Sequence, residues 1–320
     1  MVIGKALDSI YSQGLADEQF EVICVDDCSP SMDTFEMLNG YVYKGQHPTN
    51  LKVYRHEVNK RQGGARNTAL NHAEGEWILY LDQDDFFIGD SLKHLRNSLK
   101  EYRICDVVMF DYQLKDLLRN CSVHHIYKNQ GFNSEEITGS KFIQKYPIPW
   151  TPWCYAYKRE FLIAHQILFA ENVRFEDIDY VIKSTLLSKS MVFLPIDVYC
   201  HVDSGYNTSF VGNNRFLIED LFKISIRIKD VAEDFMMKDR EGAQAAMNHH
   251  IYHYQWLLKS LLWRLPYGVI IDLLKKYKPY EGIDSWSKFV HRHPIFFAAM
   301  AQIVRPILLG GLWIKNYIKR

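Results

Sequence analysis

The sequence predicts an α/β fold in its first part, followed by a mostly helical C-terminal region. Up to about residue 113, short apolar runs rich in strand-forming residues alternate with segments of helical periodicity, as in a sheet with helices packed on its faces. After about residue 213, strand signals become few and long helical stretches follow one another. We therefore expect a sheet-containing part over 1–210 and a helical part over 211–320.

Four apolar runs in the first part are strand candidates: Glu21–Asp27, Leu51–Glu57, Trp77–Asp82 and Asp106–Tyr112. Helical periodicity falls before or between them, over Gly4–Gln13, Gly64–Ala73 and Leu92–Tyr102. Asp90 or Ser91 is placed to cap the last of these helices. Because a helix follows each strand, the sequence predicts parallel pairing.

Further along, the proline- and tryptophan-rich segment Pro147–Trp153 interrupts the periodicity and predicts a loop. A helix is predicted to open with Glu176 and Asp177 in its first turn, and the run Met191–His201 predicts a closing strand. The helical part then contains three long candidates: Phe216–Met237, Ala243–Leu265 and Ile295–Ile318.

Charge and composition argue against several classes of protein. Lys and Arg number 38, as do Asp and Glu, so no global positive field favours a nucleic acid. The six cysteines include no C-x-x-C pair, which argues against a zinc ribbon or a disulfide scaffold and favours a reducing cytoplasm. No signal peptide opens the chain, and no apolar run reaches the roughly 18 residues that span a bilayer. We expect a cytoplasmic protein that lies at most on a membrane surface.

The last stretch of the chain is basic and aromatic. No acidic residue follows Asp284, whereas Lys288, Arg292 and four later residues are basic. Together with Phe296 and Trp313, this pattern is typical of an amphipathic segment at the inner face of the plasma membrane. A C-terminal helix that docks on the core and exposes a basic side to solvent explains the pattern as well.

Two carboxylate clusters follow strand candidates, at the position where an open α/β sheet binds its ligands. Asp26 and Asp27 end the first run, and Asp82, Asp84 and Asp85 end the third. Repulsion among carboxylates so close in sequence is costly unless a cation lies among them, and oxygen ligands favour Mg²⁺ or Mn²⁺. One interpretation is therefore a divalent cation that carries a phosphorylated ligand. The other is that Asp84 and Asp85 merely begin the following helix.

Between the two clusters, Gly63 and Gly64 lead into a helix with Arg66 in its first turns. Backbone N–H groups at a helix start, with a guanidinium nearby, suit a phosphate or an acidic neighbour. An ordinary helix start with surface charges needs no ligand. This feature alone therefore does not decide between a phosphate site and an ordinary helix start.

The order of these features resembles the family 2 glycosyltransferases of the GT-A fold. The resemblance runs through Glu21–Ser29, Asn59–Asn67 and Ala73–Asp85, and it covers roughly residues 4–115. It continues through Trp153–Leu162 to Phe175-Glu176-Asp177, which is similar to the Glu-Asp motif on the acceptor side of that family, and ends near residue 209.

The resemblance implies a nucleotide-sugar donor, inversion at the anomeric carbon and a divalent metal, Mg²⁺ or Mn²⁺. By position, the residues matched to the donor are Asp26, Asp27, Ser29, Asn59, Gly63, Arg66, Asn67 and Asp82. Asp82-Gln83-Asp84 matches the D-x-D motif, which implies Asp84 as the metal contact with Asp82 nearer the ribose.

Two further residues are assigned, His201 from its position in the chain and Asp177 from the resemblance, and each assignment has a simpler alternative. His201 lies on the strand after the Glu-Asp helix and is expected either to reach the metal or diphosphate or to pack as an ordinary strand histidine. Asp177 matches the general base, with Glu176 as its neighbour. An acid at a helix start is also favoured by the helix dipole alone, by about 0.3–1 kcal/mol.

The function implied is an inverting hexosyltransferase that moves a sugar from a UDP- or dTDP-sugar to a saccharide acceptor. We expect a role in bacterial surface polysaccharide or capsule synthesis, with an acceptor that is free or lipid-linked and with peripheral contact to the membrane. The alternatives are a nucleotidyltransferase, which should carry a Gly-rich N-terminal loop followed by Lys, and a non-catalytic remnant that binds nucleotide sugars.

One feature departs from the family pattern. The family begins with a strand that ends in a Pro-x-Tyr-Asn-like turn, and the segment that opens with Met1-Val-Ile-Gly offers no counterpart. That strand would be central in the sheet. We therefore expect unpaired backbone groups there and weaker nucleotide binding. Either the start of the given sequence is truncated or the activity of the protein is impaired.

Overall fold

The structure is a computed structural model that describes residues 2–204, 215–258, 262–277 and 285–304. A mixed α/β part is followed by helices, which confirms the predicted fold class. Across the described ranges, no helix is both long enough and apolar enough to cross a bilayer. The basic residues from Arg305 onward and the end of the helix predicted over Ile295–Ile318 lie outside the described residues.

The strands are β1 (Val22–Asp26), β2 (Leu51–Arg55), β3 (Trp77–Leu79), β4 (Phe86–Phe87), β5 (Val107–Asp116), β6 (Cys121–Val123), β7 (Tyr155–Lys158) and β8 (Met191–Asp203). The helices of the first part are α1 (Val2–Tyr11), α2 (Asp33–Asn39), α3 (Arg61–His72), α4 (Ser91–Glu101), α5 (Gly139–Lys145), α6 (Arg159–Ala164) and α7 (Glu176–Leu187). The later helices are α8 (Arg215–Phe235), α9 (Arg240–Trp256), α10 (Tyr267–Lys276) and α11 (Ser285–Arg292), and residues 294–304 are also helical.

The predicted strands and helices are present with ends shifted by a few residues. α9 stops at Trp256, well before the predicted Leu265, and a short 3-10 turn follows at Leu262–Arg264. Asp90 occupies the N-cap of α4, but its side chain makes no capping hydrogen bond, and the Gln13 side chain accepts from the Leu92 N–H instead. Ser91 instead donates its hydroxyl to the Val198 carbonyl, so the predicted capping role is wrong for both residues.

The strands form two sheets. β1 and β2 pair in parallel as one, and the other has the order β3-β7-β5-β8-β4, with β6 paired to β5. In the larger sheet β5 and β8 pair in parallel, whereas the other described pairs are antiparallel. The expectation of parallel pairing is therefore wrong for most of this sheet. A helix between two strands excludes a tight hairpin that joins them, but it does not determine whether a later strand lies between them in the sheet. Here β7 lies between β3 and β5 and is antiparallel to both.

The core of the first part is built on β5 and β8. The run Val107–Phe110 is completely buried and lies beside Met191–Leu194 in parallel register. A continuous apolar run of this kind is what a strand covered on both faces requires. The register shifts on either side of Asp111, where the strand becomes polar.

The C-terminal helices add a second core. Leu217, Phe222, Tyr254, Leu273 and Phe297 are among its buried members. Other residues of α8 and α9 pack against the first core, as Ile228 and Met247 do. These two helices therefore connect the sheet to the C-terminal helices.

Candidate active site

Arg66 brings together two acidic segments that are far apart in sequence. Its Nη2 lies 2.7 Å from Asp82 Oδ1, just beyond β3, and its Nη1 lies 3.0 Å from Glu176 Oε1 at the start of α7. The guanidinium is largely buried. Burial alone would lower the pKa of Arg66, but the surrounding carboxylates raise it overall, so the side chain stays charged.

Gly63 allows α3 to approach this point. A Cβ at Gly63 would lie 2.3 Å from the Ala170 carbonyl oxygen and 3.1 Å from Glu176 Cγ, so a larger residue would force the segments apart. Asn67, on the same helix, donates to the Phe169 carbonyl and accepts from the Phe169 N–H. In this structure both residues therefore fix the chain that leads into α7.

Glu176 and Asp177 differ in their surroundings, although they are adjacent. Glu176 is buried and binds Arg66, and burial raises its pKa despite that cation. Burial and the charge of Glu176 together raise the pKa of Asp177 to about 7. Its Oδ1 is shielded from solvent and has no hydrogen-bond partner. Asp177 is therefore a carboxyl group that exchanges a proton near neutral pH.

The cluster after β3 divides into three environments. Asp82 is half-buried and paired with Arg66, Asp84 is exposed, and Asp85 is buried. Partial desolvation, followed by the charges of Asp85 and Asp82, raises the pKa of Asp84. Asp84 and Asp85 precede the short strand β4, so the alternative that they begin a helix is wrong.

Asp85 holds His201 in place. Its Oδ2 accepts from the Tyr199 hydroxyl at 2.6 Å and lies 3.1 Å from His201 Nδ1, while its Oδ1 accepts from the Val202 N–H. Burial lowers the pKa of His201, but the bond to Asp85 outweighs it and the pKa is raised. Trp153 stacks on both rings, at 4.3 Å from Tyr199 and 5.4 Å from His201. With Nδ1 engaged, Nε2 is the ring nitrogen left to bind a ligand.

The acids at the end of β1 have partners within the chain. Asp26 is paired with Arg55 and accepts from the Ser29 N–H, and these contacts lower its pKa although burial raises it. Asp27 lies 2.7 Å from His56 Nδ1 and accepts from the backbone of Lys60.

Asn59 adds a side-chain bond to the backbone carbonyl of Asp27. The residues predicted to contact a nucleoside therefore cluster where β1, β2 and α3 meet, on the smaller sheet.

The match to a known family agrees with this arrangement. Residues 2–155 match the sequence family described as glycosyl transferase family 2. The chain carries a family 2 glycosyltransferase domain. The curated relatives include a poly(ribitol-phosphate) beta-glucosyltransferase of Bacillus spizizenii, 38% identical over 101 residues. That alignment covers 31% of this chain and 15% of the relative, so the chain matches a small part of a much longer protein.

Solved structures show that the family 2 domain has the GT-A fold. Residues 1–349 of TarS from Staphylococcus aureus, in complex with UDP-GlcNAc, align with a TM-score of 0.64 at 23% identity, covering 97% of this chain and 88% of that one. The mannosyltransferase PcManGT from Pyrobaculum calidifontis, in complex with GDP-Man and Mn²⁺, aligns with a TM-score of 0.52 at 16% identity over 95% and 83% of the two chains. At these identities the likeness is one of fold.

The structure also contains a second group of potential metal ligands that the sequence did not indicate. In the described ranges, Asp111, His125 and Asp197 place one ligand atom each within 4.8 Å of one another. Their carboxylates already accept backbone N–H groups of His125, Tyr127 and Lys128. The register shift at Asp111 brings them together, and such a shift leaves no sequence signal.

Arg66→Met tests the two ion pairs at the centre of the candidate active site. Removing the cation leaves Glu176 buried without a counter-ion, so we expect the free energy of unfolding at pH 8 to fall by about 3–5 kcal/mol. Urea denaturation followed by circular dichroism measures it.

Arg119→Met is the matched control, because Arg119 is exposed and its pair with Asp116 spans 3.6 Å. We expect a loss there of at most about 1 kcal/mol. If Arg66→Met costs no more than Arg119→Met, the buried pairs do not stabilise the domain.

Proposed function

We propose that this chain is an inverting glycosyltransferase that moves a sugar from a UDP- or dTDP-sugar to a saccharide hydroxyl in bacterial surface polysaccharide synthesis. The observation that carries the proposal is the convergence, through Arg66, of the Asp82 segment with the Glu176-Asp177 segment. In the family resemblance, the Asp82 segment matches the residues that contact the donor, and the Glu176-Asp177 segment matches the motif on the acceptor side. The family 2 domain and the carbohydrate-related names of its relatives support the same activity.

Asp177 has the properties of the base in this reaction. A single displacement at the anomeric carbon requires removal of a proton from the acceptor hydroxyl while charge builds on the departing diphosphate. Arg66 binds Glu176 and Asp82, which leaves the Oδ1 of Asp177 unpartnered, and a pKa of about 7 suits a base at neutral pH. We assign proton removal to Asp177 and the positioning of Arg66 to Glu176.

Asp84 and His201 suit a divalent metal, with Asp82 beside them. Three carboxylates lie within four residues, and desolvation, followed by the charges of Asp85 and Asp82, raises the pKa of Asp84. Asp85 orients His201 through Nδ1, which is how carboxylates commonly position metal-binding histidines. A bound Mg²⁺ or Mn²⁺ would offset charge on the leaving diphosphate. We propose Asp84 and His201 Nε2 as its protein ligands, and the ribose as the contact of Asp82.

We also propose that the C-terminal helices contact the membrane surface peripherally, with a lipid-linked saccharide as acceptor. Phe296 and Ile303 lie seven residues apart in the helical segment 294–304, and both are exposed, whereas Phe297 between them is buried. Lys288 and Arg292 are exposed just before them. An apolar face beside basic residues suits an anionic lipid surface.

Asp177→Asn tests the assigned base. We expect the rate of UDP release from UDP-glucose or UDP-N-acetylglucosamine to fall by about 10²–10⁴-fold, with binding of the UDP-sugar unchanged. For the unmodified chain the rate should rise with pH through about 7, because only the ionised carboxylate accepts a proton. Asp234→Asn, which removes an exposed acid on α8, is the control. Full turnover by Asp177→Asn would remove Asp177 from this role.

The same substitution should stabilise the fold. A carboxyl group whose pKa is raised by folding costs stability as pH rises from its ordinary value near 4 to about 7, and the cost is complete above that. We expect Asp177→Asn to raise the free energy of unfolding at pH 8 by about 1–3 kcal/mol, with a smaller gain at pH 5. Urea denaturation at the two pH values measures this. A loss of stability at pH 8 would indicate a structural role.

Asp84→Asn tests the metal ligands. We expect calorimetric titration of Mn²⁺ in the presence of UDP to show affinity reduced by about 10–100-fold. Asp197→Asn is the matched control, because Asp197 belongs to the second group of potential ligands. The opposite result, with affinity lost in Asp197→Asn and kept in Asp84→Asn, would move the metal to that group.

Co-sedimentation with vesicles tests the membrane contact. We expect the chain to bind phosphatidylglycerol vesicles and not phosphatidylcholine vesicles, and the double variant Phe296→Ser, Ile303→Ser to lose most of that binding. Met237→Ser removes an exposed apolar side chain outside this face and should bind normally. Unchanged binding of the double variant would exclude this face.

A further inference from the structure

A groove of about 980 Å³ lies between α9 and the chain that follows α5. On the α9 side its wall includes Arg240, Gln244, Asn248 and Tyr252, which are spaced four residues apart and so form one row along the helix. At 1.5 Å per residue this row is about 18 Å long. The groove is therefore long enough for a chain of linked units.

The side chains of the groove suit a ligand rich in hydroxyl groups. Gln244 and Asn248 are joined by an amide–amide hydrogen bond of 3.1 Å, and Gln144 faces them from α5. Amides both donate and accept, as hydroxyl groups require. Tyr252 is 62% exposed, and Trp150 supplies a second aromatic ring, which suits the apolar faces of sugar rings. The indole N–H of Trp150 is buried and has no partner.

The groove carries little net charge. Arg240 is its one lining guanidinium among the described residues, and the adjacent Glu241 offsets it. Burial lowers the pKa of His249, which keeps that lining histidine neutral at physiological pH. A polyanion such as poly(ribitol phosphate) requires a row of cations to offset its phosphates, and the described wall does not provide one. The charge pattern therefore favours an uncharged ligand.

One end of the groove lies at Trp150, on the chain segment that continues to the candidate active site. The Trp150 ring lies 4.3 Å from the His253 ring, and Trp153, three residues further along the same segment, stacks on His201. The other end lies where Gly242 of α9 packs closely on Ser140 and Leu186, at the far end of α7 from Asp177. A chain in the groove would thus extend away from the reacting groups.

We infer that this groove binds the uncharged saccharide chain of the acceptor, at sugar units beyond the one that receives the transferred sugar. This inference rests on the proposed function and deepens it, because it specifies the chemistry of the acceptor. An uncharged saccharide differs from the poly(ribitol phosphate) in the name of a relative. Tyr252 and Gln244 then act on acceptor binding and have no part in the chemical step.

Tyr252→Ala tests the groove, because this exposed side chain can be removed without opening the core. Tyr267→Ala, which removes an exposed tyrosine on α10, is the matched control. The probes are neutral oligosaccharides of glucose, galactose and N-acetylglucosamine, and separately poly(ribitol phosphate), observed by saturation-transfer NMR and calorimetry. We expect a neutral oligosaccharide to bind, and to bind about 10-fold more weakly to Tyr252→Ala and to Gln244→Ala but not to Tyr267→Ala.

Binding of UDP-N-acetylglucosamine to the same samples separates the two proposals. If the nucleotide sugar binds but no neutral oligosaccharide depends on Tyr252, the groove inference is overturned and the proposed function stands. The inference is equally overturned if poly(ribitol phosphate) is the probe whose binding depends on Tyr252. If the unmodified chain binds no UDP- or dTDP-sugar, the proposed function fails, and the groove inference fails with it.

Discussion

The candidate active site depends on one buried guanidinium. Arg66 binds the acid just after β3 and the acid at the start of α7, residues that are 16 and 110 positions away from it in sequence. Without this cation, the buried Glu176 would repel both Asp82 and Asp177, which would destabilise the position of the start of α7 beside the larger sheet. The close approach also requires Gly63, since any Cβ there would collide with the Ala170 carbonyl.

The same ion pairs separate the roles of neighbouring carboxylates. Arg66 forms ion pairs with Asp82 and Glu176. The carboxylate of Asp85 is hydrogen-bonded to Tyr199, His201 and the Val202 N–H. The exposed Asp84 and the half-buried Asp177 lie outside these ion pairs. Asp84 lies near Asp82 and Asp177 is adjacent to Glu176, so the Asp82–Arg66–Glu176 ion pairs lie between the two acids. The proposed base and the proposed metal ligand are thus separated by the Arg66 ion pairs.

The sequence predicted the parts of the fold that depend on local pattern. The strands β1, β2, β3 and β5 and the helices α1, α3 and α4 follow from apolar periodicity, and the acidic motifs follow from their position after strands. The antiparallel entry of β7 could not be predicted, because periodicity does not state which strands pair. The burial of Asp85 was missed for a related reason: its partners come from β8, more than a hundred residues later, and the alternation of Tyr199 with His201 was the only local signal. The groove along α9 likewise depends on the packing of α9 against the chain after α5.

The most direct test of the account is a crystal structure of the chain with UDP and Mn²⁺, in which anomalous scattering locates the metal. We expect a manganese peak beside Asp84 and His201, with the UDP diphosphate next to it and Arg66 still bound to Glu176. A manganese peak at Asp111, His125 and Asp197 alone, with UDP bound elsewhere, would contradict it.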